Sequence, residues 1–227
     1  MKILSPVLIL ATAFIFSCAD YPRIDEMERT PIYGADLIDS RNNQVYQTVI
    51  IGNQTWIAKN LNFPDGNSIC YEREPDNCET YGRLYDWATA MGLDGKYNDS
   101  SYIISTKVKG ICPSGWHLPS DAEWQTLVEY VGTNVGVKLK AKRGWSDETD
   151  NGDDIYGFSA MPSGNYEDGF HNLGNIELGY WWSSTESEFK NDLKRAYYRD
   201  IGWVNSNDMV SKLSPKSSML AVRCIKN

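Results

Sequence analysis

Histidine is nearly missing from this chain, basic residues are outnumbered, and no apolar run is long. The two histidines, His117 and His171, have no ligand-type partner at metal-site spacing, and no Cys-x-x-Cys pair occurs, so a zinc centre has no support. Lys and Arg total 22 against 30 Asp and Glu, a net charge of -8 with no basic run. That balance argues against nucleic acid as a partner, because binding it needs a positive face. No nucleophile elbow or other paired catalytic motif is present. Neither an internal repeat nor a low-complexity block interrupts the 227 residues, so the chain reads as one domain. Hydrophobic residues make up 41% and aromatics 12%, enough to build a core and to exclude wholesale disorder.

What is present begins with an export signal. Lys2 precedes an apolar run from Ile3 to Phe16. The run is too short for a spanning helix, which needs about 20 residues, and suits the core of a signal peptide. It ends in Ile15-Phe16-Ser17-Cys18, which resembles a bacterial lipobox. Residues 1–17 are therefore the expected signal peptide, Cys18 the lipidated residue, 18–34 a polar tether and 35–227 the folded domain. Ala19 stands where some lipoproteins carry the Asp that retains them in the inner membrane, so the expectation is an outer-membrane lipoprotein. The membrane is then a partner through the anchor.

Beyond Cys18 remain Cys70, Cys78, Cys112 and Cys224, an even set that in an exported protein reads as two disulfides in one of three pairings. Cys70 and Cys78 flank a turn expected at Pro75, Asp76 and Asn77, which suits a local bridge. Cys112 and Cys224 would then close a large loop, worth ~4–5 kcal/mol in the chain-entropy model.

The patterning alternates short strands with few helices. Leu37-Ile38, Val45–Ile51 and Thr55–Ala58 read as a three-strand meander, with Gly52-Asn53 as a hairpin turn. Leu84, Trp87, Ala88 and Met91 fall at helical spacing before a Gly92 stop. Trp116–Leu118 is short and extended, with His117 expected to alternate outward. Ser120 and Glu123 form a capping box ahead of the stripe Trp124, Leu127, Val128 and Val131. His117 has no acid, base or nucleophile evident beside it and is given a structural role. The stretch 135–143 adds a turn or two of helix. Residues 156–166 read as strand then turn, and 179–186, 194–204 and 218–227 as strands.

Two residue sets are candidates for ligand contact. Trp181 and Trp182 are adjacent in a strand and point to opposite sides, so one is expected at the surface. Tyr166, Tyr180, Trp203 and Asn165 complete this set, since aromatic faces suit sugar rings. The second set is Asp147, Asp150, Asp153 and Asp154 in an acidic loop, where closely spaced carboxylates suit calcium, though without EF-hand spacing. Asp168 with Glu186 is the carboxylate pair that a glycoside-cleaving alternative would use.

"YQTVIIGNQTWIAKNLN", "YGRLYDWATAM", "CPSGWHLPSDAEW", "KLKAKRGW", "YGFSAMPSG", "YWWSSTE" and "AVRCIKN" occur in this order. Together they resemble the Fibrobacter succinogenes major paralogous domain family, over nearly everything from residue 36 onward. That resemblance implies export, often as a lipoprotein, and brings no defined activity. More distantly, "HLPSDAEW" and "AVRCIKN" are similar to stretches of formylglycine-generating-enzyme-like domains. This second similarity implies an α+β, C-type-lectin-like fold: a mixed sheet, two main helices and long irregular loops, with the closing strand back beside the early ones. It also makes a Cys112–Cys224 bridge reasonable. Those enzymes use a redox cysteine pair near the C-terminus, and here only Cys224 lies there. The expectation is therefore a non-catalytic, envelope-anchored binding or adhesion module for polysaccharide or a surface protein. The alternatives are an enzyme of that fold and a purely structural surface component.

Overall fold

The computed structural model describes residues 29–102, 107–145, 148–171, 178–189, 192–202 and 208–227. The expected signal peptide and Cys18 lie outside the described residues, as do Asp147 and Trp203. In chain order the fold opens with β1 (Ile32–Tyr33), β2 (Leu37–Asp39), β3 (Gln44–Tyr46), β4 (Thr48–Ile51) and β5 (Gln54–Ile57). Then come α1 (Pro75–Tyr81), β6 (Leu84–Tyr85), α2 (Trp87–Met91), β7 (Trp116–His117), α3 (Asp121–Val131) and α4 (Val135–Leu139). The remainder holds β8 (Asn165–Tyr166), β9 (Phe170–His171), β10 (Leu178–Glu186), β11 (Arg195–Gly202), β12 (Val210–Pro215), β13 (Leu220–Ala221) and β14 (Ile225–Lys226).

These strands form an α+β architecture around two five-stranded sheets. The first runs β1-β4-β5-β14-β7 and is antiparallel throughout. The second runs β12-β11-β10-β13-β6 and is mixed, because β13 lies parallel to β10. The closing strand β14 sits between the early strand β5 and β7, pairing Ile225 with both Trp56 and His117. Cys112 is bridged to Cys224 (Cα–Cα 5.9 Å) and Cys70 to Cys78 (4.9 Å). The long bridge thus ties the closing segment to the stretch just ahead of β7.

Two hydrophobic clusters fill the interior, and β10 divides them. Trp181 joins Trp56, Trp124 and Phe158 in one, with Trp56 and Trp124 ring centroids 4.6 Å apart. Trp182 joins Tyr85, Trp87 and Leu220 in the other. Two indoles of the second cluster find acceptors, as buried tryptophan requires: Trp182 donates to the Tyr85 carbonyl (2.8 Å) and Trp87 to that of Ser183 (3.0 Å).

Several local expectations need correction. The run 45–51 is not one strand. It breaks at Gln47, whose carbonyl accepts from Ala58 N (2.8 Å), so β2–β3 form a separate hairpin and β4 joins the first sheet. Ile32 and Tyr33, placed in the polar tether by the sequence, pair with β4. Leu84 is in a strand. Asp86 is extended and its carboxylate accepts from Thr89 N (2.7 Å), so the helix starts only at Trp87. Pro75–Asn77 open a helix in place of a turn, with Pro at the first helical positions, where its missing N–H is harmless. Residues 156–164 form no continuous strand; only Ala160 makes a bridge, to Lys140. The final strand is interrupted at 222–224, where the carbonyls of Val222 and Cys224 accept from Leu61 N and Ile57 N.

Candidate functional site

The interruption at 222–224 turns Arg223 into the interior, where it is fully buried. Its Nε donates to Asn60 Oδ1 (2.8 Å), Nη1 to the carbonyls of Ile57 (3.0 Å) and Phe158, and Nη2 to that of Ser159 (2.9 Å). The guanidinium also lies 4.4 Å over the Phe158 ring. Asn60 Oδ1 accepts a second bond from Trp181 Nε1 (2.7 Å), while its amide donates to the Tyr81 carbonyl (2.8 Å). Asn60 therefore joins the closing segment, β10 and α1. Gly82, at φ 77°, permits that approach: a Cβ there would stand 2.5 Å from the Asn60 Cβ. Burial pushes the Arg223 guanidinium down to about 9, and the Asp154 carboxylate opposes the shift. Arg223 forms no ion pair with a described carboxylate.

Asn60, Ser159 and Asp154 form part of the wall of a cavity of about 540 Å³. The rest comes from the β3–β4 bend, the C-terminal half of α1 and the loop after α4. Small-molecule sites typically occupy 300–1,000 Å³, so the volume suits such a ligand. Lys59, Lys142 and Arg143 reach it from exposed positions. Glu79 and Asp154 are its acids. The Asp154 carboxylate accepts from Ser159 N (2.8 Å) and Oγ (2.7 Å), and burial pushes its pKa up against those bonds. Glu79 accepts from Asn62 Nδ2 (3.0 Å).

A second cleft, of about 460 Å³, is lined by His117, Glu123, Lys107 and Glu186 among others. His117 does not face outward as expected; it is 1% exposed because β14 and α3 both cover it. Nδ1 meets Asn227 Oδ1 (2.8 Å) and Nε2 meets Glu123 Oε1 (2.9 Å). Glu123 Oε2 accepts from Ser120 N (2.9 Å) and Ser120 Oγ (2.8 Å), completing the capping box. Burial alone would raise the Glu123 pKa, but the bonds from His117 and Ser120 outweigh it and hold it at about 2. In a hydrolytic triad the imidazole stands between hydroxyl and carboxylate. Here the carboxylate stands between hydroxyl and imidazole, so Ser120 Oγ meets Glu123 and not the His117 ring.

The expected aromatic face is not assembled at the surface. Trp181 and Trp182 are both fully buried, because β10 has a core on each of its faces. Tyr180 (8%) and Asn165 (9%) are enclosed as well. Tyr166 is half-buried against Phe170 at 5.0 Å. The structure does not bring Asp150, Asp153 and Asp154 together as a calcium site: among the described residues no three His, Cys, Asp or Glu side chains converge closely enough to hold a metal. Glu186 pairs with buried Lys216 and accepts from Tyr102 N (2.9 Å), whereas Asp168 is exposed at the β8–β9 turn.

The arrangement defines a two-disulfide α+β domain with a cavity whose wall residues Asn60 and Ser159 also bond Arg223 of the closing segment. The chain belongs to the Fibrobacter succinogenes major domain family, whose model matches residues 49–226. That match takes in both disulfides, Arg223 and most of the cavity wall, while β1–β3 precede it. No curated protein and no solved structure matched the chain.

Proposed function

We propose that the chain is an envelope-anchored lipoprotein whose domain is a non-catalytic binding or adhesion module, with polysaccharide as its ligand class. The observation that carries this reading is the cavity of about 540 Å³, whose lining combines amides (Gln44, Gln47, Asn60, Asn62), hydroxyls and two tyrosines with apolar patches. Such groups match sugar hydroxyls, which need several convergent donors and acceptors. The lipobox-like ending at Cys18 and the two disulfides favour an exported, anchored setting. A C-type-lectin-like arrangement is part of the same proposal. Its support is the closing strand β14 lying beside β5, together with a mixed second sheet and long irregular loops.

A glycan array probed with the full-length chain in detergent tests the ligand class. Saturable binding to a defined polysaccharide set is expected. Turnover of a glycan, or silence across the array with the fold intact, overturns the reading. Metabolic labelling with a clickable fatty acid tests the anchor: label is expected on the wild type and lost in Cys18→Ser.

A further inference from the structure

We infer that the cavity takes an acidic saccharide, with the sugar carboxylate drawn to Lys59, Lys142 and Arg143 on the cavity wall; the inference rests on the reading that this cavity binds glycan. Its starting point is charge. The two other fully buried cations close on carboxylates, Arg199 on Asp121 (2.8 Å) and Lys216 on Glu186, whereas the less deeply buried Lys138 donates to the Val131 carbonyl. Arg223 instead meets only neutral oxygens. Its nearest counter-charge, Asp154, acts on it only through space and is itself bonded to Ser159, so part of the Arg223 potential is offset there and the rest extends into adjoining space. The adjoining space is the cavity, since Asn60 and Ser159 touch Arg223 and also line that wall.

The rim adds to the same sign. Lys59 and Arg143 make no side-chain hydrogen bond or ion pair among the described residues, and Lys142 interacts with Asp154 only through space. Four cations thus surround or underlie a concavity holding two acids, Glu79 and Asp154, in a chain of net charge -8. Glu79 is engaged by Asn62 and Asp154 by Ser159. An anion is the ligand that this local excess favours. The neutral wall argues for a sugar in place of a bare inorganic ion. Gln44 and Gln47 line the cavity with side-chain amides that make no hydrogen bond among the described residues, and the volume far exceeds a single oxyanion.

Calorimetric titration of the full-length chain in detergent tests the inference with three probes: a galacturonic acid trimer, the neutral galactose trimer and inorganic phosphate. The acidic trimer is expected to bind saturably, at least about tenfold tighter than the neutral one, with affinity falling as salt rises. The variant Lys59→Gln/Lys142→Gln/Arg143→Gln removes three exposed charges and is expected to weaken the acidic trimer by roughly tenfold while near-UV circular dichroism stays unchanged. Equal binding of both trimers, unaffected by the triple variant, overturns the acidic-sugar inference and leaves the glycan reading standing. Phosphate that competes as well as the trimer overturns the sugar part. Failure of both trimers, together with silence on the array, overturns both readings.

Discussion

Arg223 of the closing segment and His117, which pairs with Ile225 two residues further on, are both buried and are wired in opposite ways. His117 is closed: one nitrogen meets Glu123, the other Asn227, and Glu123 is itself saturated by Ser120. Arg223 is satisfied in hydrogen bonds yet has no ion-pair partner among the described residues. A buried basic group that meets a carboxylate has its polarity answered at close range and serves the fold. One that meets only carbonyl dipoles keeps part of its field, which a ligand of opposite sign can use. The difference separates a structural clamp from a candidate binding floor, although both look equally polar and equally buried.

The bridge between these two places is the strongest lever on the comparison. Cys112→Ser/Cys224→Ser releases the closing segment from the stretch ahead of β7 across a sequence separation of 112. Denaturant unfolding is expected to show a loss of about 4–5 kcal/mol. Next in size is Arg223→Met, which leaves Asn60 Oδ1 and three carbonyls buried with fewer donors. A loss of about 3 kcal/mol or more is expected from the same measurement.

Glu123→Gln tests the closed side. The folded-state pKa of Glu123 is depressed to about 2, so its contribution is present above the ordinary carboxylate range and is lost as pH falls from about 4.5 toward 2. With its partial exposure, about 2 kcal/mol is expected to disappear at pH 7, and the acid limb of stability against pH between 4.5 and 2 should flatten. A wild-type stability that does not change over that window would contradict the clamp. The smallest effect belongs to the rim: Lys59→Gln/Lys142→Gln/Arg143→Gln is expected to leave stability within about 0.5 kcal/mol, because exposed charges contribute little to folding.

What could be read in the letters was what is local. The Ser120–Glu123 capping box and the stripe Trp124, Leu127, Val131 depend on residues within a few turns, and the structure holds them as expected. The Gly92 stop behaved likewise, in the left-handed region at φ 67°. The two-disulfide count needed only parity and compartment. The misreadings came from contacts between distant segments. His117 is buried by Asn227, 110 positions away, and Trp182 by a second core that no two-residue alternation foretells. The helix at Leu84 was a coincidence of spacing, and the overlooked signal was Asp86, an ordinary N-cap residue directly before Trp87. Arg223 left no pattern at all. Three of its acceptors are backbone carbonyls, which no residue type encodes, so the candidate site became visible only with the fold.

The indole N–H resonances give the most direct test of the claim that a ligand sits over the Arg223 floor. Trp181 Nε1–H is bonded to Asn60, which lines the cavity, whereas Trp87 Nε1–H is bonded to Ser183 within the second core. In a nitrogen–proton correlation titration with the galacturonic acid trimer, the Trp181 signal is expected to move saturably while that of Trp87 stays still. A bound trimer that leaves the Trp181 signal in place, or that moves Trp87 instead, would contradict the account.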